Sequence, residues 1–245
     1  MPSTIATIDR RNFNHYGTQF FAALLAFHAS NYSSKAFALS LADLTNKDAA
    51  SGLRAALGRG TAAAIDSLGK TDGFLGNALV KISLPGYMED AAKLLRNLGQ
   101  GQRIDELITS MNRAAEQAVP LAKSLLINTV QGISLSDAKN ILSSGEGAAT
   151  KFFAEKTRAP LSTQFLPIVN KAIEKVGLVD KYNTLAAKLQ PFGIIKPEDA
   201  NIQQYITTKS LDGLYTMIGE EEKKIRKDPI GTGSALLSKV FGVLK

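Results

Sequence analysis

From Asn46 to Leu244 the apolar residues of this 245-residue chain recur every three or four positions, and glycine or proline cuts the pattern at intervals of one short helix. That period places them on one face of an α-helix. Leu53, Ala56, Leu57, Ala64, Ile65 and Leu68 form the first stripe, with Thr45 or Asn46 as its cap and Gly69 at its end. Gly58 and Gly60 inside it each cost about 1 kcal/mol against alanine, so they imply a break or the close approach of another helix. Met88, Ala91, Ala92, Leu95 and Leu98 form a second stripe, closed by Gly99, and Ile104, Leu107, Ile108, Met111, Ala115 and Ala118 a third. Pro120 opens a helix to Gly132 from its first position. Ser134 or Ser136 caps a short one through Leu142.

Helices over 148–158 and 161–176 follow, with Pro167 expected to kink or split the second. Another runs from Val179 to Leu189. The longest runs from Asn201 to Arg226 and is stopped by Asp228-Pro229. A glycine hinge at 231–233 leads to a last helix holding Leu237, Val240, Phe241 and Leu244. Only Val80, Ile82 and Leu84 alternate, before Pro85, and they have no partner strand elsewhere. The expected fold is all-α: a single helical domain of about eight to ten helices, with at most one short extended segment.

The first 38 residues stand apart. Phe20 to Ala29 is an apolar run too short to span a bilayer, which needs about 20 residues. It has the length of a signal h-region, and Ala36-Phe37-Ala38 is an A-x-A cleavage site. Arg10-Arg11-Asn12-Phe13 matches a twin-arginine signal, with Arg10, Arg11 and Phe13 its marks, although Asp9 stands where such signals more often carry Ser or Thr. The expectation is a cleavable export signal over 1–38, a helical domain over 39–245, and the periplasm as destination. An organellar transit peptide or an ordinary disordered N-terminus are the alternatives.

Both histidines, His15 and His28, lie in that leader, and the chain has no cysteine. After cleavage the protein would have neither imidazole nor thiol, which removes the usual ligands of zinc, copper and haem. It also removes the base or nucleophile of Ser-His-acid and Cys-His catalysis. No metal and no cofactor are expected. Without cysteine no lipid can be attached at one, so no stable membrane anchor is expected either. Losing Arg10, Arg11, Lys35 and Asp9 lowers the formal charge from +7 to +5. That excess is dispersed. The densest cluster, residues 220–227, is mixed in sign, and its i,i+4 pairs Glu220–Lys224 and Glu222–Arg226 read as a solvated helix face. Nothing here favours nucleic acid.

Four patterns touch on chemistry. Gly58-Arg59-Gly60-Thr61-Ala62-Ala63 fits the dinucleotide fingerprint G-x-G-x-x-A in letters, but it follows a helical stretch where the fingerprint needs a strand, so it reads as helix packing. Ser136 and Lys139 form an S-x-x-K, a pair that can acylate without histidine, while Lys70-Thr71-Asp72-Gly73 only faintly echoes the K-T-G element and lies upstream. Helix capping by Ser136 is the plainer reading. Asn112, Arg113 and Glu116 share one helical face, where flanking alanines admit another helix. They read as a polar network between helices, with Glu116 as the candidate acid if the site is catalytic. Phe152, Phe153, Phe165, Tyr182, Phe192, Tyr205 and Tyr215 have core spacing and could instead line an apolar pocket. The last helix is expected to dock on its own domain rather than on a membrane.

Several ordered blocks carry a resemblance. They include Leu53-Arg54-Ala55-Ala56-Leu57, Gly73-Phe74-Leu75, Ile82-Ser83-Leu84-Pro85, Leu94-Leu95-Arg96-Asn97-Leu98-Gly99, the 110–116 segment, Asp137-Ala138-Lys139-Asn140-Ile141-Leu142 and Arg226-Lys227-Asp228-Pro229. Over roughly residues 40–242 the chain resembles an uncharacterised bacterial exported-protein family, domain of unknown function 4197. The resemblance implies an exported, mostly helical protein, frequently a lipoprotein in relatives, from which this chain departs in having no cysteine. It brings no activity and no catalytic residue. The functional expectation is therefore a non-enzymatic envelope module that binds an apolar small ligand or another protein, still unidentified. The alternative is a metal-free hydrolase using carboxylates or a Ser-Lys pair.

Overall fold

The computed structural model describes residues 44–132, 138–189 and 201–244. These all belong to the second of the two units into which the chain divides, Leu39–Lys245. The leader residues Arg10, Arg11, Phe13, Ala36 and Ala38 lie outside the described residues, as do Ser136 and Phe192. Among the described residues there are nine helices and no strand: α1 (Asn46–Leu68), α2 (Gly86–Asn97), α3 (Gly101–Leu121), α4 (Lys123–Gly132), α5 (Ala138–Ser143), α6 (Ala148–Lys175), α7 (Leu178–Leu189), α8 (Ile202–Lys227) and α9 (Ala235–Gly242). The domain is all-α.

Helix α1 lies against α8 along much of its length, with α4, α5 and α9 on its other sides. Thr45 caps it, its Oγ1 accepting the Asp48 N–H at 3.0 Å. Its apolar stripe, including Leu53, Leu57, Ile65 and Leu68, is fully buried. Two of the mid-helix glycines, Gly52 and Gly60, mark close approaches, whereas Gly58 faces open space and marks neither a break nor an approach. A Cβ on Gly60 would lie 3.2 Å from Ile218 Cγ2 of α8, and one on Gly52 would lie 2.5 Å from Val240 Cγ2 of α9. The G-x-G-x-x-A letters thus sit inside a continuous helix that faces a packed neighbour. They form no strand–turn–helix cradle.

Helices α3, α6 and α8 build the rest of the core, with α6 between the other two. The break expected between 158 and 161, and a split at Pro167, are both corrected by the structure: α6 is one helix of 28 residues with Pro160 and Pro167 inside it. Each proline removes a hydrogen bond to the carbonyl four residues back, that of Lys156 or Thr163. Both prolines and both of those residues are on the exposed side, where water can satisfy the freed carbonyls. The buried stripe Phe153, Thr157, Leu161, Phe165, Val169 and Ala172 continues past both prolines, and its packing holds the helix together. Pro120 also differs from expectation. It lies in the last turn of α3 rather than opening α4, with its ring against Gly69, where a Cβ would fall 2.6 Å from Pro120 Cγ.

The alternating segment is buried as the alternation requires, with Val80, Ile82 and Leu84 in the core, but it pairs with no strand. The carboxamide of Asn112 serves instead: Oδ1 accepts the Ile82 N–H at 2.9 Å and Nδ2 donates to the Ile82 carbonyl at 2.8 Å. At the C-terminus, Ser234 caps α9 through the Leu237 N–H. Leu237, Val240 and Phe241 are buried, and Lys239 pairs with Asp48 at 3.0 Å. The helix docks on its own domain. No helix among the described residues is long and apolar enough to cross a membrane.

Candidate functional site

Helix α3 brings Asn112, Arg113 and Glu116 together because they are one turn apart on the face that meets the loop over residues 70–85. Asn112 is fully buried, and besides Ile82 it donates to the Ile108 carbonyl at 2.8 Å. Glu116, 4% exposed, accepts the N–H groups of Phe74 and Leu75, both at 3.1 Å on Oε1. Its Oε2 takes Arg113 Nη1 at 2.5 Å, and Arg113 Nη2 continues to Asp72 Oδ1 at 2.8 Å. Glu116 first, and Asp72 second, hold the Arg113 guanidinium above its ordinary range. The partners are therefore on a loop, not on a neighbouring helix. Asp72 sits there at φ +63°, a conformation a side-chain-bearing residue rarely adopts. Three protein donors hold the two oxygens of Glu116 and the side chain is buried, so the carboxylate has little left to offer a substrate.

A second buried carboxylate has the same design. Glu222 of α8, 2% exposed, reaches the start of α6. It accepts the Ala149 N–H at 3.3 Å, the Thr150 N–H at 2.9 Å and the Thr150 hydroxyl at 2.8 Å. Gly147, at φ +77°, offers that helix no side-chain cap, so Glu222 satisfies its orphan N–H groups from across the interface. Arg226 Nε completes the set at 2.9 Å, while Arg226 Nη1 donates to the Leu142 carbonyl at 3.0 Å and the guanidinium lies 5.4 Å from the Phe241 ring centre. This corrects the reading of residues 220–227 as a solvated face. Glu222 and Arg226 point inward, and the exposed pairs in the cluster, Glu220–Lys223 and Glu221–Lys224, are three residues apart. The signal was available: Glu222 falls four residues after Ile218 and three before Ile225, on the buried stripe of α8.

Of the S-x-x-K pair only Lys139 is described, half-buried on α5. The structure brings a different serine and lysine together, one the sequence reading missed. Lys181 Nζ of α7 donates to Ser110 Oγ of α3 at 2.7 Å and to the Val176 carbonyl at 3.2 Å. Ser110 is buried, so the pair ties α7 to α3 and presents no nucleophile. Among the aromatics, Phe153, Phe165, Tyr182 and Tyr215 are core residues and Phe152 and Tyr205 are half-buried. Tyr215 meets Phe153 edge-on at 5.8 Å, and its hydroxyl donates to Thr157 Oγ1 at 2.9 Å, since the threonine hydrogen is engaged by the Phe153 carbonyl. Burial raises the Tyr215 hydroxyl above its ordinary pKa of 10.0, opposed by Thr157. These rings pack mainly among themselves and into the core and form no common pocket, although Tyr215 lines the hollow beside α6 and α8 and Phe152 a smaller neighbouring one.

The open volume lies elsewhere. A groove of about 660 Å3 runs between α6 and α8, with Lys151, Ala154, Glu155, Arg158, Ala159 and Ser162 on one wall and Thr208 and Leu211 on the other. A hollow of about 440 Å3 shares Lys151 and Ala154 with it and extends towards Glu146, Gly147, Gly219 and Lys223. Arg158 is held in place by Asp212 at 2.6 Å and lies over the Tyr215 ring at 4.9 Å. Among the described residues no group of three or more His, Cys, Asp or Glu side chains is placed to hold a metal ion.

A family model described as a protein of unknown function (DUF4197) matches residues 43–242. The chain belongs to that family. No curated protein and no solved structure matches the chain. The matched region takes in all nine described helices, the Glu116 and Glu222 networks and the α6/α8 groove together.

Proposed function

We infer that the protein is a non-catalytic interaction module of the bacterial envelope and that the groove between α6 and α8 is its working surface. The observation that carries this reading is the contrast between the polar groups and the open space. The buried carboxylates, Glu116 and Glu222, spend their oxygens on backbone N–H groups and arginines. The groove, of ligand-site volume, has Ala154, Ala159 and Leu211 in its lining and a few fixed polar groups, such as Arg158, at its rim. Apolar surface flanked by a few charged groups, Lys151, Glu155 and Arg158, suits binding. The envelope location rests on the twin-arginine pattern, the h-region and the A-x-A site at Ala36 and Ala38. The family match starts at residue 43, beyond them.

Native mass spectrometry of the protein purified from its own host tests the reading. The expected result is a bound species, small molecule or protein, that disappears when Ala154→Trp fills the groove while the far-UV circular dichroism is unchanged. A bound species indifferent to that substitution, or none at all, would remove the groove as the working surface.

A further inference from the structure

Taken together, the linings of the α6/α8 groove and of the hollow that adjoins it are balanced in charge although the chain is not. Lys151, Arg158 and Lys223 stand against Glu146, Glu155 and Glu220, while the whole chain carries a formal +7. A strongly acidic or basic partner finds no net field to follow into this groove, and a second molecule of the same basic protein meets no repulsion there.

The order of charges along α6 narrows the occupant further. Lys151 and Glu155 are one helical turn apart on the same face, with side chains 80% and 62% exposed, and they approach each other only to 4.0 Å. Their charges are thus largely available to a partner. Beside them Ala154 adds nothing beyond a methyl group, so a second helix can come close. A lysine and a glutamate four residues apart are their own complement when two copies of a helix meet antiparallel about a two-fold axis, because the lysine of each copy then faces the glutamate of the other. The groove leaves open space beside α6 for such an approach. The α6 ridge of one copy fills the space between α6 and α8 of the other, and the reverse holds by symmetry.

Resting on the groove as working surface, we propose that its occupant is a second copy of this chain, paired antiparallel through α6 near Ala154 with reciprocal Lys151–Glu155 contacts. Exposed ion pairs contribute little to affinity one at a time, so these contacts set register and orientation. Affinity comes from removing Ala154, Ala159 and Leu211 from water.

Sedimentation equilibrium of the full-length protein, from micromolar to near-millimolar concentration, tests this with two charge reversals. The wild type should show a monomer–dimer equilibrium. Lys151→Glu and Glu155→Lys should each weaken it by about tenfold or more when studied alone, since each brings like charges together. An equimolar mixture of the two variants should dimerise again, because each then supplies the charge the other lacks. Both residues are exposed, and circular dichroism checks that the variants are folded. A strictly monomeric wild type, a dimer indifferent to both reversals, or a mixture that stays monomeric would each overturn the proposal. A monomeric wild type that still carries an Ala154→Trp-sensitive bound species would leave the groove reading standing and this proposal alone refuted. A monomer with no bound species would end both.

Discussion

Glu116 and Glu222 hold the same kind of position on two helices. Each is a carboxylate inside the core, held by an arginine on its own helix and by two backbone N–H groups from elsewhere in the chain. Removing the acceptor from such a site leaves buried donors and a charge without partners, and this costs more than the interaction gains. Glu116→Gln keeps one oxygen for Phe74 and Leu75 and should lower stability by about 1 kcal/mol or less. Glu116→Leu strands both N–H groups and leaves Arg113 with Asp72 alone, and should cost about 1–3 kcal/mol. Glu222→Leu should cost more, about 3–5 kcal/mol, because Arg226 is the more deeply buried of the two arginines. Urea unfolding midpoints check the order, and a Glu116→Leu variant as stable as the wild type would show that Glu116 is not holding the loop. The spacing of Asn112, Arg113 and Glu116 was legible because side chains three and four apart on a helix must share a face. Their partners were not, since no local pattern tells which distant backbone will present its N–H groups to that face. Glu222 was misread for the converse reason: its pairing with Arg226 fits a solvated helix as well as a buried one, and only its phase relative to Ile218 and Ile225 separates the two.

Helix identity was readable from period, while helix limits depended on packing. Pro160 and Pro167 look like stops in isolation, yet both fall on the exposed side of α6, where the buried stripe passes beneath them. Phase relative to the core decides whether a proline ends a helix. The same distinction separates the glycines of α1. A Cβ on Gly58 would meet nothing within 4 Å, whereas one on Gly52 would fall 2.5 Å from Val240 Cγ2. Gly58→Ala should therefore stabilise the protein by up to about 1 kcal/mol, through helix propensity and a less flexible unfolded chain. Gly52→Ala should destabilise it by about 1–3 kcal/mol by forcing α9 off α1. Equilibrium unfolding of the two variants measures the signs, and hydrogen exchange at Leu237 to Phe241 should accelerate in Gly52→Ala only. If both substitutions moved stability the same way, the close packing of α9 on α1 would not be what Gly52 is for.

At the scale of the whole molecule, the helical class and the family domain follow from the same pattern of apolar stripes, and the proposed export signal over 1–38 lies outside the matched region, residues 43–242. The first described residue, Leu44, is buried, and Thr45 starts α1 with a side-chain cap. Cleavage after Ala38 would then release a 207-residue protein with a formal charge of +5. Intact-mass measurement of the protein from the periplasm of its host should return the chain beginning at Leu39. Replacing Arg10 and Arg11 together with lysine should leave the uncleaved protein, still beginning at Met1, in the cytoplasm, because a twin-arginine signal depends on the guanidinium pair and not on charge alone. Retention of residues 1–38 in a mature cytoplasmic product would refute export. Normal export of the double lysine variant would keep the periplasm and refute the route.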